Sequence, residues 1–252
     1  MRWKALFCLC FLLVLVSAGA VVTEDSASAN ALSGITLLSC SVSDFALSPT
    51  IPATGIAFSC NLPFYLADCA VYSLNAASGL GPCIFSSGAG FLGNSDYRWQ
   101  DYHLGLAFHY QELSLGASGH LIYEKFSTGD SYHDWTGDFA LSYRGEDYGS
   151  EIKYLHAGLE DAELHVSVSS LIVPGVTGAS TYVYVPHGKD NYRCATTMEI
   201  GDLFELQSSW QSDPARFGAG VQFRLGGFSV MYGIRTHPEL SLSHSLDFGI
   251  QW

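Results

Sequence analysis

The stretch "FGAGVQFRLGGFSVMYGIR", residues 217–235, decides the fold. In its first run Phe217, Ala219, Val221, Phe223 and Leu225 form one row, and Gly218, Gly220, Gln222 and Arg224 the other. After Gly226 and Gly227, Phe228, Val230, Tyr232 and Ile234 alternate with Ser229, Met231, Gly233 and Arg235. A period of two is the signature of a strand with unlike faces. The two glycines predict a type I′ hairpin, which needs positive φ at both central residues. Leu225 and Phe228 then fall on the same side, and the two apolar rows make one surface.

The alternation extends upstream. "YHLGLAFHY" sets Tyr102, Leu104, Leu106, Phe108 and Tyr110 against His103, Gly105, Ala107 and His109. "DWTGDFALSYR" sets Trp135, Phe139, Leu141 and Tyr143 against Asp134, Thr136, Asp138, Ser142 and Arg144. "ELHVSVSSLI" repeats the arrangement, and weaker examples run near 83–92, 113–126, 148–156, 179–186, 192–200 and 204–211. About twelve strands, between ten and fourteen, are expected from residue 83 to 252, joined as consecutive antiparallel hairpins. The fold class is all-β.

Two architectures fit such rows. In a secreted sandwich the apolar rows meet each other and the polar rows, rich in Lys and Glu, meet water. In a transmembrane barrel the apolar rows face lipid and the polar rows line the interior. Three features favour the barrel. Aromatic residues stand near strand ends on the apolar rows, among them Tyr102, Tyr110, Trp135, Tyr143, Trp210 and Trp252, as headgroup girdles require. The polar rows mix both signs: Glu124, Asp138, Arg144, Glu151, Lys153, Arg224, Arg235 and Asp247 are the lumen candidates, with His103, His109 and His120. Short connections near 226–227, 201–203, 145–147 and 111–113 alternate with longer ones near 236–241, 212–215, 187–191, 157–162, 127–133 and 93–101. "PGVTG" at 174–178 is the exception, a longer connection on the short side.

The N-terminus has Arg2 and Lys4 before an apolar run from Ala5 to Val16 and then Ala18-Gly19-Ala20, which predicts a cleaved signal peptide over 1–20. Beyond it no stretch is apolar enough for a spanning helix, so a membrane location implies strands. The expected mature chain carries nine basic residues against twenty-four acidic ones. That balance argues against nucleic acid as a partner. Five cysteines remain, Cys40, Cys60, Cys69, Cys83 and Cys194, with no metal-knuckle spacing and no assignable pairing.

Residues 21–82 lack the strong alternation and are expected to be a flexible segment followed by a hatch or plug, with "ITLLSC" and "GIAFSC" as two optional extra strands. Within it, Ala67-Asp68-Cys69-Ala70-Val71-Tyr72 followed by Asn75-Ala76-Ala77-Ser78-Gly79-Leu80 resembles a stretch found near the mature N-terminus of the outer-membrane fatty-acid transporter (FadL) superfamily and of PorV-type barrels. One position is inserted and the proline that follows the asparagine in that family is absent. The resemblance implies a fourteen-strand barrel, a hatch that includes Asp68, Tyr72, Asn75 and Gly79, and an apolar substrate. For PorV-type relatives it implies the docking of a secreted protein.

No catalytic or metal site is expected. The histidines of the polar rows lack a third ligand at convincing spacing. In "LSHS" His244 points away from Ser243 and Ser245 because successive strand residues alternate. No phosphate loop and no cofactor is implied. The expected function is passive transport or binding of small molecules in the outer membrane of a Gram-negative-type bacterium, with the lumen charges holding the hatch through ion pairs. Docking of a secreted protein and a purely structural barrel are the alternatives. The expected partners are the lipid bilayer and the barrel assembly machinery, which in similar proteins reads a terminal strand such as "LDFGIQW" ending on Trp252.

Overall fold

The computed structural model of the chain describes residues 26–94, 97–157, 159, 162–186 and 188–252, so the signal segment expected at 1–20 lies outside the described residues. Fourteen strands run in chain order: β1 (Gly55–Leu62), β2 (Val71–Leu80), β3 (Cys83–Gly93), β4 (Tyr97–Tyr110), β5 (Leu113–Phe126), β6 (Ser131–Arg144), β7 (Tyr148–Ala157), β8 (Glu163–Val173), β9 (Val176–Tyr184), β10 (Asn191–Ile200), β11 (Phe204–Gln211), β12 (Arg216–Leu225), β13 (Phe228–Arg235) and β14 (Ser243–Gln251). Each pairs antiparallel with its chain neighbours, and β1 pairs with β14 to close the barrel.

The count is therefore fourteen, two more than the twelve read from residue 83 onward. "GIAFSC" lies in β1 as expected, whereas "ITLLSC" is no strand: Thr36–Leu38 is a 3₁₀ turn inside the barrel. The second extra strand is the resemblance motif itself. Tyr72, Asn75 and Gly79 lie in β2, and Asp68 in the short 3₁₀ turn before it, so none of the four belongs to a hatch. Small residues on both faces of β2 blur its alternation, with Ser73, Asn75 and Ala77 inside and Ala76 and Ser78 outside, which is why the strand escaped a pattern reading. The barrel starts at Gly55, and the plug is residues 26–54.

The deciding hairpin is present, with Leu225 opposite Phe228. Its turn differs from the type I′ expectation, because only Gly226 has positive φ, +60°, as in a type II′ turn. Gly227 is needed for space: a Cβ there would meet the Gln251 carbonyl oxygen at 2.3 Å, and that carbonyl's own residue donates its N–H to the Gly227 oxygen at 2.6 Å. At the same end the connections are 81–82, 111–112, 145–147, 174–175 and 201–203, and the opposite end carries the longer ones, up to 63–70 and 236–242. The "PGVTG" exception disappears, since β9 starts at Val176 and Gly175, at φ +80°, makes a two-residue turn. The 93–101 connection shrinks likewise, because β4 begins at Tyr97.

Polarity is inverted relative to a water-soluble domain. Leu104, Leu115, Phe139, Val168 and Phe217 are exposed on the outer wall, while Asp138, Glu151, Lys153, His103 and Asp247 are buried inside. Of the expected girdle, Tyr110, Trp135, Trp210 and Trp252 are exposed on the outer face, and Tyr102 and Tyr143 share that row and are half-buried. Tyr143 stacks on Tyr148 with ring centroids 5.1 Å apart at the short-turn end, and Tyr182 lies 5.1 Å from Tyr192 at the other. The five cysteines among the described residues are free thiols.

Candidate functional site

The interior is organised around the plug. Its sequence from Ser26 to Thr54 is richest in Ser, Ala, Leu and Thr and has one charged residue, Asp44. Helix α1 (Ala27–Leu32) opens it. The Ser26 hydroxyl caps the start by accepting the Ala29 N–H at 2.9 Å, and Ser33 (φ 51°) and Gly34 (φ +74°) end it in left-handed geometry. Six residues cannot hold a helix in isolation. This one is held by a floor of glycines on β12 and β13. A Cβ on Gly233 would meet the Ala27 carbonyl oxygen at 2.2 Å, one on Gly218 the Asn30 oxygen at 2.3 Å, and one on Gly220 the Ala31 Cβ at 2.6 Å. The polar row of the deciding hairpin is thus a docking surface, and its glycines allow backbone to approach backbone.

Wall side chains then grip the plug. Asp247 on β14 accepts the Ala27 N–H at 3.0 Å on each oxygen and the Ser43 hydroxyl at 3.0 Å. Asn30 donates to Ser245, whose hydroxyl donates to Asn61 at 2.9 Å. Glu151 accepts hydroxyls from Thr36 at 2.7 Å, Ser48 at 2.9 Å and Thr50 at 3.2 Å. Lys153 donates to the Thr36 hydroxyl and the Leu47 carbonyl, both at 3.1 Å. Arg144 donates to the carbonyls of Leu37 at 2.8 Å, Thr36 at 3.1 Å and Ser39 at 3.2 Å, and Arg193 to that of Ser33 at 3.0 Å. The plug's own carboxylate, Asp44, accepts from Ser26 and Ser39. Burial pushes the Asp44 carboxyl above its usual range, against the pull of the Ser26, Ser39 and Ser28 hydroxyls and the Lys153 charge. Apolar contacts complete the seat: Val42, Phe45 and Ile51 on Ala57 and Ala77, and Leu32, Ile35 and Leu37 on Ala179 and Ala195.

The expected ion pairs between hatch and wall are therefore replaced by charge-assisted hydrogen bonds from wall charges to neutral plug hydroxyls, carbonyls and N–H groups. The reason is compositional: a segment with one charged residue offers no counter-ions, so the backbone groups of its short turns serve instead.

A second cluster belongs to the wall alone. His120 lies between two carboxylates, with Nδ1 2.9 Å from Asp101 and Nε2 2.9 Å from Asp138. The His103 ring is 5.4 Å from that of His120. Asp138 also accepts the His156 N–H at 2.8 Å, which fixes the bulge where β6 and β7 lose register after Gly137. His156 itself takes φ 55° there.

Of the lumen candidates, Arg144, Glu151, Lys153 and Asp247 are brought onto the plug, and His103, His120 and Asp138 into the wall cluster. The rest lie apart. His109 is within 2.7 Å of Ser114 near the short-turn end, Arg224 pairs with Glu205 at 2.7 Å, Arg235 donates to Gln211 at 2.7 Å, and Glu124 stands near the opposite end of β5. Asn75, assigned to the hatch, is a wall residue whose amide donates to the plug carbonyl of Ser43 at 3.3 Å. Ser243 and Ser245 point inward, while His244 shares the outward row with Tyr232, whose hydroxyl is 2.5 Å from its Nδ1. Asp44, Asp101 and the serines of the plug were missed. The signal for the plug residues was the near absence of charge over about thirty residues, which a solvated linker does not show.

No family model matches the chain, and no curated protein does. Solved structures do. The toluene transporter TbuX of Ralstonia pickettii aligns at a TM-score of 0.60 and 9% identity, covering 83% of this chain and 93% of that one. A mutant porin of Rh. blastica aligns at 0.47 and 7% identity, covering 79% and 98%, and the KdgM porin in complex with oligogalacturonate at 0.46 and 7%, covering 79% and 99%. The likeness to TbuX shows the fold, an antiparallel β-barrel.

Proposed function

We propose that the chain is an outer-membrane barrel that passes or holds small molecules behind an internal plug. One observation carries this reading: the closed wall is apolar outside and polar inside, with the plug hydrogen-bonded into the interior. A closed sheet leaves no backbone group unpaired in lipid, and β4, β5 and β6, at fourteen residues each, exceed the roughly 9–11 residues that a tilted strand needs to cross. Aromatic residues at both ends and short turns at one end fit the same orientation. The plug is the gate, and the bonds of Glu151, Lys153, Arg144 and Asp247 hold it shut.

An apolar solute is the reading favoured by the likeness to a toluene transporter and by the fatty-acid-transporter resemblance of the β2 motif. Reconstitution tests both parts. Planar bilayers should show a small conductance that rises when the plug is loosened, and liposomes should take up labelled fatty acid or toluene. Absence of conductance in wild-type and loosened forms, together with no uptake, overturns transport. A monodisperse chain in water without detergent overturns the membrane reading.

A further inference from the structure

Between the plug and the wall, toward the end of the barrel with the longer connections, lies a cavity of about 40 Å³. It is lined by Ser33, Gly34, Lys153, His165, Arg193 and Arg235, with Ala29, Leu47 and Leu155 as the apolar part. Three side-chain cations from β7, β10 and β13 thus converge on one small space, and among the described residues no carboxylate lines it. Its volume admits a group of a few heavy atoms, since one water needs roughly 10–15 Å³. Guanidinium forks and an ammonium in a confined, low-dielectric site select oxyanions.

The histidine narrows the class. His165 is buried, and its Nε2 lies 2.6 Å from the Glu163 carboxylate. A carboxylate only accepts, so Nε2 carries the hydrogen and, in the neutral ring, Nδ1 is left as an acceptor. Among the described residues Nδ1 has no hydrogen-bond partner. An occupant that satisfies the whole lining therefore bears negative oxygens for the cations and one hydroxyl for Nδ1.

We propose that this cavity binds a protonated oxyanion of the phosphate class. Hydrogen phosphate offers oxygens to Arg193 and Arg235, sits in the field of Lys153, and donates its P–OH to His165. Sulfate, of similar size, is fully deprotonated at neutral pH and leaves Nδ1 unsatisfied. For its biological meaning the inference rests on the barrel-and-plug reading, at the outer mouth of the lumen, and is independent of which solute passes. Binding itself needs no flux.

The test is calorimetric titration of the folded, detergent-solubilised full chain with inorganic phosphate and, separately, with sulfate. Saturable binding of one phosphate per barrel is expected, with sulfate weaker by about tenfold or more, the effect of one unpaired buried acceptor. His165→Phe should erase the preference between the two anions, and Arg235→Gln should weaken both. No saturable phosphate binding by the folded wild type, or equal affinity for the two anions, overturns the site. If His165→Phe does not fold, the wild-type comparison and Arg235→Gln still decide. Phosphate binding without flux in bilayers would sink the transport reading and leave the site standing. Flux without phosphate binding would do the reverse.

Discussion

The wall of β4–β6 and the wall of β11–β14 treat the interior in opposite ways. The first spends its buried carboxylates on itself: Asp101 and Asp138 flank His120 across three long strands and fix the bulge at His156, and Arg144 at the end of β6 reaches the plug. The second is cleared where β12 and β13 meet the plug. Gly218, Gly220 and Gly233 clear a floor, and Asp247 and Ser245 reach from it into the plug. Buried charge in the first region is a device for shape. In the second, emptiness is the device, and it admits a helix that could not exist alone.

Substitutions break this contrast in graded steps. The largest effect is expected at the plug contact on β7, where Glu151→Ala strips three plug hydroxyls of their acceptor and leaves Lys153 without its carboxylate neighbour. A loss of about 3–5 kcal/mol is expected, read as a fall in the urea midpoint in detergent and a rise in conductance. Unchanged conductance would show that Glu151 does not hold the plug. Gly233→Val follows, at about 1–3 kcal/mol for overpacking. The new side chain meets the backbone of Ala27, so proteolysis should cut the plug near Phe45 while the barrel stays heat-modifiable on gels.

His120→Gln sharpens the comparison from the other wall. It should lower the melting temperature, with about 2 kcal/mol lost from its contacts with Asp101 and Asp138, and leave conductance at the wild-type level. Conductance as high as that of Gly233→Val would erase the distinction between the two walls. A smaller effect is expected from pH. The seated Asp44 titrates above the released segment, so its contribution to seating is fully present below the released carboxyl's range and fades as pH rises through the seated value. Protease protection of the plug should weaken from acid to neutral pH more in wild type than in Asp44→Asn. The smallest effect belongs to Gly226→Ala, about 1 kcal/mol for a left-handed turn position, visible in the urea midpoint alone.

How legible the molecule was in its sequence follows the same division. The twelve strands from Cys83 onward could be read because bulky rows oppose small or charged rows, as Phe217 to Leu225 oppose Gly218 to Arg224. β2 could not, because Ala and Ser stand on both faces. The wall's share of the site was also legible: Arg144, Glu151, Lys153 and Asp247 were singled out as inward charges among strand residues. Their targets were not, since hydroxyls and backbone carbonyls of a serine-rich segment carry no periodic mark. The glycines of the hairpin stand on the polar row in the sequence, and their purpose is visible only with the helix laid against them.

The order of the chain gives the Ala27 to Asp247 contact a further meaning. It joins residues 220 apart, across the entire barrel sequence, and the plug leads directly into β1, whose partner is β14. Thr54, the last plug residue, accepts the Trp252 N–H at 3.2 Å beside that seam. Contacts so distant in sequence form late, since the loop they close is the longest available. The plug thus behaves as a clasp: it can be fastened only when the final strand is in place. A barrel left open at the seam would also be a barrel left without its stopper.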